Sequence, residues 1–212
     1  MSMSRVIPRA VVRGTASGVL FMAFFGTAWS GIGISGLQGW GNPSLPIVAV
    51  LIGVVIFICG ITLIWSSRDI PNHLDEEDTR HSKRIRKGFG MTFGAEFALI
   101  GAAAAILHAT HLFNYFFPVM AIIVGAHFFP LAHLFRVRTH YVTGVLVCLL
   151  AIVTVLFVPM NVTLWHHQIA AWSAFVGLGA ALILWATGVM LWLRGNNLLN
   201  TARTAKQDFK AM

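Results

Sequence analysis

Charged residues are scarce in this sequence. Only 10% of its 212 residues are Asp, Glu, Lys or Arg, and 57% are hydrophobic, whereas about a quarter of the residues in soluble domains are charged. This deficit excludes an ordinary soluble domain. Cysteine is scarce as well: Cys59 and Cys148 both fall within apolar stretches, where a thiol usually acts as a small buried hydrophobe. We therefore predict no disulfide.

Motifs for several familiar enzyme chemistries are missing. The sequence has no glycine-rich phosphate loop, no aspartate-rich pair of carboxylates, no Ser/His/Asp set in one layer and no row of histidine boxes. Their absence disfavours an enzyme without excluding one. The sequence also identifies no cofactor.

Long apolar stretches are what the sequence has instead. A helix needs roughly 20 apolar residues to cross a hydrocarbon layer about 30 Å thick, and six such stretches recur along the chain. They cover residues 14–37, 46–66, 89–111, 114–136, 141–160 and 169–193. The sequence thus predicts an all-α fold: a polytopic membrane helical bundle of six transmembrane helices, forming one integral membrane domain over residues 1–212.

The basic residues predict how the chain is threaded, because lysine and arginine are retained on the cytoplasmic side during insertion. All 15 of them precede the first span, lie in 67–88 or 136–138, or follow residue 193, and the other three connections contain none. This pattern places the N-terminus and the C-terminus in the cytoplasm. Because the charges are dispersed among juxtamembrane segments, we expect the lipid bilayer and not nucleic acid as their partner.

The predicted cytosolic loop 67–88 has an acidic half followed by a basic half. Asp75, Glu76, Glu77 and Asp78 form the first, and Lys83, Arg84, Arg86 and Lys87 the second. A loop of this kind is usually a solvated connector. The alternative is a docking site for a cytosolic partner.

Small residues repeat every four positions in three of the spans, and such residues let helices approach closely in a bilayer. The repeats are Gly26 and Ser30, Gly101 and Ala105, and Ser173, Gly177 and Ala181. We predict that the first, third and sixth helices form the tight interior, while the larger Val, Leu, Ile and Phe faces meet lipid or a second protomer. Six helices are few for a solitary carrier, which favours a homodimer.

Glu96 is the only acidic residue within a predicted span. A carboxyl in hydrocarbon costs on the order of 2 to 3 kcal/mol, so it must be protonated, partnered or facing water. When the third and fourth spans are folded into a hairpin, His127 falls within about 3 Å of the same depth. Such a pair can relay protons, couple proton binding to solute movement, or act as general acid and base. The alternative is a structural pair that pins two helices together.

Other candidate residues lie on either side of this pair. Pro130 loosens the helix turn before it, and the carbonyls that it frees near Ala126 can coordinate an ion or water if they face a cavity. Near the outer ends of the helices the sequence has a possible histidine cluster, of which His108 and His111 are one helical turn apart. Its members are His108, His111, His166 and His167. No cysteine or acid accompanies them, so we predict interfacial histidines and no metal site.

The stretch VGAHFFPLAHLFRVRTHYVTG, residues 124–144, resembles a segment of a small group of uncharacterised bacterial multi-pass membrane proteins. Gly125, Ala126, His127, Pro130 and Tyr141 carry the likeness. The resemblance implies a location in the bacterial inner (plasma) membrane and supplies no activity.

Three functions are consistent with these features. The favoured one is a proton-linked transporter or channel for a small solute, with Glu96 and His127 as a site near mid-membrane. The second is a membrane-embedded enzyme or redox protein that uses histidines with a cofactor. The third is a non-catalytic membrane factor that recruits a partner through loop 67–88.

Overall fold

The computed structural model describes residues 9–70, 76–135, 137–164 and 167–211. Within these residues the chain folds into six α-helices and one short β-hairpin. The helices are α1 (Arg9–Gly36), α2 (Ser44–Ser66), α3 (Glu76–Ala109), α4 (Phe116–Phe135), α5 (Thr139–Phe157) and α6 (Ala171–Ala211), and the hairpin consists of β1 (Asn161–Leu164) and β2 (His167–Ala170). All six helices are long and apolar enough to cross a membrane, which confirms the predicted number of membrane-length helices.

Two of the helices extend beyond their predicted ends. α3 begins at Glu76, well before residue 89, and α6 continues to Ala211, beyond residue 193. Hydropathy locates only the apolar part of a helix, whereas the backbone can continue the same hydrogen bonds into a polar segment. The predicted cytosolic loop 67–88 is therefore largely the first turns of α3. Residues 71–75 and the side chains of 76–84, which hold its acidic half, lie outside the described residues.

The β-hairpin was not predicted. β1 and β2 pair antiparallel between α5 and α6, with Val162 opposite Ile169. Ile169 is buried, and the Trp172 indole N–H donates a hydrogen bond of 2.8 Å to the Val158 carbonyl at the base of the hairpin. Four-residue strands are too short to produce a clear alternating pattern in the sequence.

α1 and α6 form the centre of the bundle. Gly33 and Gly177 lie where the two backbones meet, and a Cβ added at Gly36 would lie 2.6 Å from the Ala174 backbone nitrogen. Val176, Ala180 and Ala181 of α6 are fully buried beside them. Gly177 of the sixth span therefore allows close backbone approach as predicted. In the first span Gly33 and Gly36 have this role, whereas the predicted Gly26 packs against the Trp185 side chain.

The prediction that the third span shares this interior is wrong. α3 lies at the edge of the bundle, where it packs against α4, and its membrane-length segment Lys87–Ala109 has no fully buried residue. A Cβ added at Gly94 or Gly101 would meet no described atom within 4 Å. α2 packs beside α1, and α5 lies between α4 and α6.

Candidate functional site

The structure brings Glu96 and His127 into contact. Oε2 of Glu96 lies 2.7 Å from Nδ1 of His127, and both side chains are at least nine-tenths buried. This distance is that of an ion pair or a strong hydrogen bond. Neither atom has another hydrogen-bond partner among the described atoms.

The α3–α4 hairpin accounts for this contact. Gly88 of α3 packs against Leu134 of α4, which sets the register of the two antiparallel helices. Glu96 follows Lys87, where the membrane-length segment of α3 begins, by nine residues, and His127 precedes Phe135, where α4 ends, by eight. Both therefore lie about 12 to 14 Å from the same end of the hairpin at 1.5 Å per residue. The side chains of Glu96 and His127 also both point toward the interior of the bundle.

A cavity of about 230 Å³ lies beside the pair, between α1, α3, α4 and α6. Glu96 and His127 form part of its wall, and six of the other 13 lining residues are aromatic. The aromatic lining residues are Phe21, Phe25, Trp29, Phe93, Phe97 and Phe128. The only carboxylate and the only imidazole among the described lining residues thus sit in an otherwise apolar chamber.

Two aromatic rows build the wall between α1 and α3. Phe21, Phe25 and Trp29 follow one another at four-residue intervals on α1, and Phe93 and Phe97 do so on α3, which places each row on one helix face. The Phe93 ring lies 5.3 Å from that of Phe21 in an edge-to-face arrangement. It also lies 5.5 Å from the His127 imidazole, so the aromatic rows lead directly to the polar pair.

Phe21, Phe25 and Phe93 depart from the expectation that large apolar side chains lie on the outer faces of the bundle, whereas Phe97, which is 58% exposed, agrees with it. Their four-residue spacing could have been noticed in the sequence, but the same spacing occurs on lipid-facing helices. Only the packing of the helices shows that Phe93 meets Phe21 and Phe25 between α1 and α3.

Pro130 is not brought to this pair. It lies within α4 on the exposed face of the helix, as does Ala126, and neither lines the cavity. The carbonyls that Pro130 frees therefore do not contribute to the wall beside Glu96. Gly125, one turn earlier, has a packing role: a Cβ there would lie 2.5 Å from the Cys148 sulfur and 2.9 Å from the Gly144 carbonyl oxygen of α5.

The predicted outer histidines do not assemble into a site within the described part of the chain. His108 is exposed at the end of α3, and His111 lies beyond the helix with a left-handed φ of 58°, so the two do not share a helical face. His167 is exposed at the start of β2, and His166 lies outside the described residues. The described residues contain no group of three or more His, Cys, Asp or Glu side chains placed to hold a metal ion.

One buried histidine was missed by the sequence interpretation. His140, in the first turn of α5, is only 7% exposed, and its Nδ1 has no hydrogen-bond partner among the described atoms. The Phe128 ring lies 5.8 Å from the His140 imidazole and 5.7 Å from that of His127. The available signal was helical spacing, because His140, Thr143 and Gly144 share the buried face of α5.

A family model matches residues 85–192, which span this site from α3 to α6. The chain belongs to a family of unknown function, DUF7010. No curated protein and no solved structure matches the sequence. The family assignment agrees with the resemblance to a small uncharacterised group, which carries no activity.

The matched segment contains both Glu96 and His127 but not α1. The cavity therefore combines a polar wall from the family segment with aromatic residues, Phe21, Phe25 and Trp29, that precede it.

Proposed function

We propose that this protein is a proton-linked carrier of a small solute in the bacterial inner membrane, with both termini in the cytosol. The observation that supports the proposal is the contact between Glu96 and His127 at the wall of a cavity. The six apolar helices are compatible with an integral membrane protein. The distribution of lysine and arginine supports the orientation.

The chemistry of the pair fits proton coupling. Without an added proton, a carboxylate and a neutral imidazole carry one negative charge, and one proton shared between them makes the pair neutral. An isolated charge in an apolar chamber is costly. The pair should therefore hold either a proton or a positively charged or hydrogen-bonding solute group that offsets the negative charge. A carrier that exchanges a proton for a solute needs a site of this kind.

The alternative is that the pair only holds α3 against α4. A scaffold needs the two side chains to remain bonded to each other, whereas a carrier needs solute to reach them. The cavity beside the pair favours the carrier.

Purified protein reconstituted into liposomes with an internal pH dye would test the proposal. Small organic cations, carboxylates and neutral solutes would be added separately to vesicles with a pH gradient. We expect at least one class to produce solute-dependent proton movement. Glu96→Gln should reduce this movement at least tenfold, because an amide does not exchange a proton.

His133→Gln is a matched control for His127→Gln, since His133 is exposed on the same helix. We expect His133→Gln to retain solute-dependent proton movement and His127→Gln to lose it. Protein-free vesicles correct for leakage of solute through the lipid. If none of the three classes moves protons, or if Glu96→Gln behaves as the unchanged protein, the carrier proposal is refuted.

A further inference from the structure

The lining of the cavity indicates which solute it suits. Apart from Glu96 and His127, the described lining residues bear no ionisable side chain, and neither lysine nor arginine is among them. When the pair gives up its shared proton, the charge that the chamber presents is therefore negative, at the Glu96 carboxylate.

The aromatic rings favour the same sign of charge. The face of a benzene or indole ring carries partial negative charge and attracts a cation within about 6 Å of its centre. Six aromatic residues line a cavity of about 230 Å³, so a solute inside it contacts several rings at once. A cation there is attracted by both the rings and the carboxylate, whereas an anion meets the same charge as its own.

We infer that the solute exchanged for protons at this site is a small hydrophobic organic cation, such as a quaternary ammonium compound. This inference rests on the proposed carrier function. The cation binds between the aromatic rows with its positive charge at Glu96. The proton shared by Glu96 and His127 leaves to water as the cation enters, so the net charge of the occupied site does not change.

The volume limits the size of the cation. A cavity of about 150 Å³ holds one benzene molecule, so the larger chamber described here accommodates roughly ten non-hydrogen atoms. Phenyltrimethylammonium has this size, and tert-butylbenzene is its uncharged isostere, with carbon in place of nitrogen. Benzoate provides an aromatic anion of similar size. Comparing the three compounds distinguishes the effect of the solute's charge on binding from the effect of its shape.

Equilibrium binding of radiolabelled phenyltrimethylammonium to the full-length protein in detergent would test the inference. We expect saturable binding that weakens about tenfold for each unit by which the pH falls below the range where the pair loses its proton, because proton and cation compete for one site. At a pH below that range, where the pair holds its proton, one proton should be released for each cation bound, as measured with a pH dye in weak buffer. Excess tert-butylbenzene or benzoate should displace the cation poorly.

Two matched pairs of variants locate the site. Glu96→Gln should abolish both binding and proton release, whereas His133→Gln should change neither. Phe25→Leu, which removes a lining ring while keeping an apolar side chain, should weaken binding severalfold. Phe57→Leu, on an exposed part of α2 away from the cavity, should leave it unchanged.

The outcomes distinguish the two proposals. Displacement of the cation by tert-butylbenzene at equal concentration, or unchanged binding in Glu96→Gln, would overturn the cation inference. If benzoate rather than phenyltrimethylammonium drives Glu96-dependent proton movement in vesicles, the carrier function stands and the cation inference fails. Because the pH dependence and the competition are measured on the unsubstituted protein, they remain decisive if Glu96→Gln does not fold.

Discussion

Gly125 of α4 and Gly144 of α5 lie where these two helices pass closest to each other. A Cβ at Gly144 would lie 2.6 Å from the Gly125 carbonyl oxygen and 3.1 Å from Cβ of Phe128. Phe128 borders the cavity and follows His127 directly. The lack of a side chain at these two positions therefore sets how α4 presents His127.

Substitution of Gly144 by alanine should destabilise the protein. The added methyl group meets backbone of α4 that cannot move away without separating the helices, and such overpacking typically costs about 1 to 3 kcal/mol. Thermal unfolding of the purified protein in detergent, followed by the loss of helical circular dichroism, would measure the effect.

Gly101→Ala on α3 is the matched control. A Cβ there meets no described atom within 4 Å, and alanine favours a helix over glycine by roughly 1 kcal/mol. We expect Gly101→Ala to leave the melting temperature unchanged or to raise it. Equal destabilisation by the two substitutions would show that α4 and α5 do not pack through these glycines.

At the scale of elements, α3 differs from the other helices because side chains, rather than close backbone contact, attach it to α1. Its link to α4 includes the contact between Glu96 and His127, and its link to α1 consists of aromatic pairs. Phe93 occupies the centre, with its ring 5.3 Å from Phe21 and 6.0 Å from Phe25. Helices with few buried contacts open more readily than the core of a protein.

Phe93→Ala should loosen α3 selectively. Edge-to-face aromatic pairs contribute about 0.5 to 1.5 kcal/mol each, so removing two of them should increase the opening of this helix about tenfold or more. Hydrogen–deuterium exchange would show faster exchange of amides in residues 89–100, while α6 remains protected.

The control for this substitution is Phe157→Ala. Phe157 is 78% exposed at the end of α5, so its removal should not alter exchange in α3. Faster exchange throughout the bundle in Phe93→Ala would contradict a local role for the aromatic rows and would indicate that α3 stabilises the whole fold.

At the scale of the whole molecule, the proposed topology has six membrane-length helices crossing the bilayer in alternating directions, so that the start of α1 and the end of α6 lie on the same side. The described connections alternate accordingly: the β-hairpin lies at the end of the bundle opposite the extended part of α6. Combined with the basic residues near both ends, this arrangement supports the proposed topology, in which the hairpin faces outward and the end of α6 faces the cytosol.

Single cysteines would test this topology in a background lacking Cys59 and Cys148. Gln168→Cys, exposed in the hairpin, should react with a membrane-impermeant maleimide in intact cells. Arg203→Cys, exposed near the end of α6, should react only after the membrane is permeabilised. Labelling of both cysteines in intact cells would refute the proposed topology. Labelling of Arg203→Cys alone in intact cells would show that the protein has the opposite orientation in the membrane.

The contact between Glu96 and His127 could be predicted from the sequence in part, whereas the cavity could not. The similar depths of Glu96 and His127 follow from the helix rise once two spans form a hairpin. Whether each side chain turns inward depends on the rotation of its helix, which the packing of Gly88 against Leu134 sets in α3. The enclosure of Phe21, Phe25 and Phe93 depends further on where α1 lies.

Hydrophobicity is a local property that accumulates over a single segment, so the sequence by itself determined the six apolar helices and the scarcity of buried charge. Which faces of those helices meet is decided by contacts between residues far apart in the chain. Only the tertiary structure therefore placed α3 at the edge of the bundle, paired α1 with α6, and left an aromatic chamber beside Glu96. The same small-residue spacing packs tightly in α6 and stays open in α3, because close approach needs a partner surface as well as a glycine.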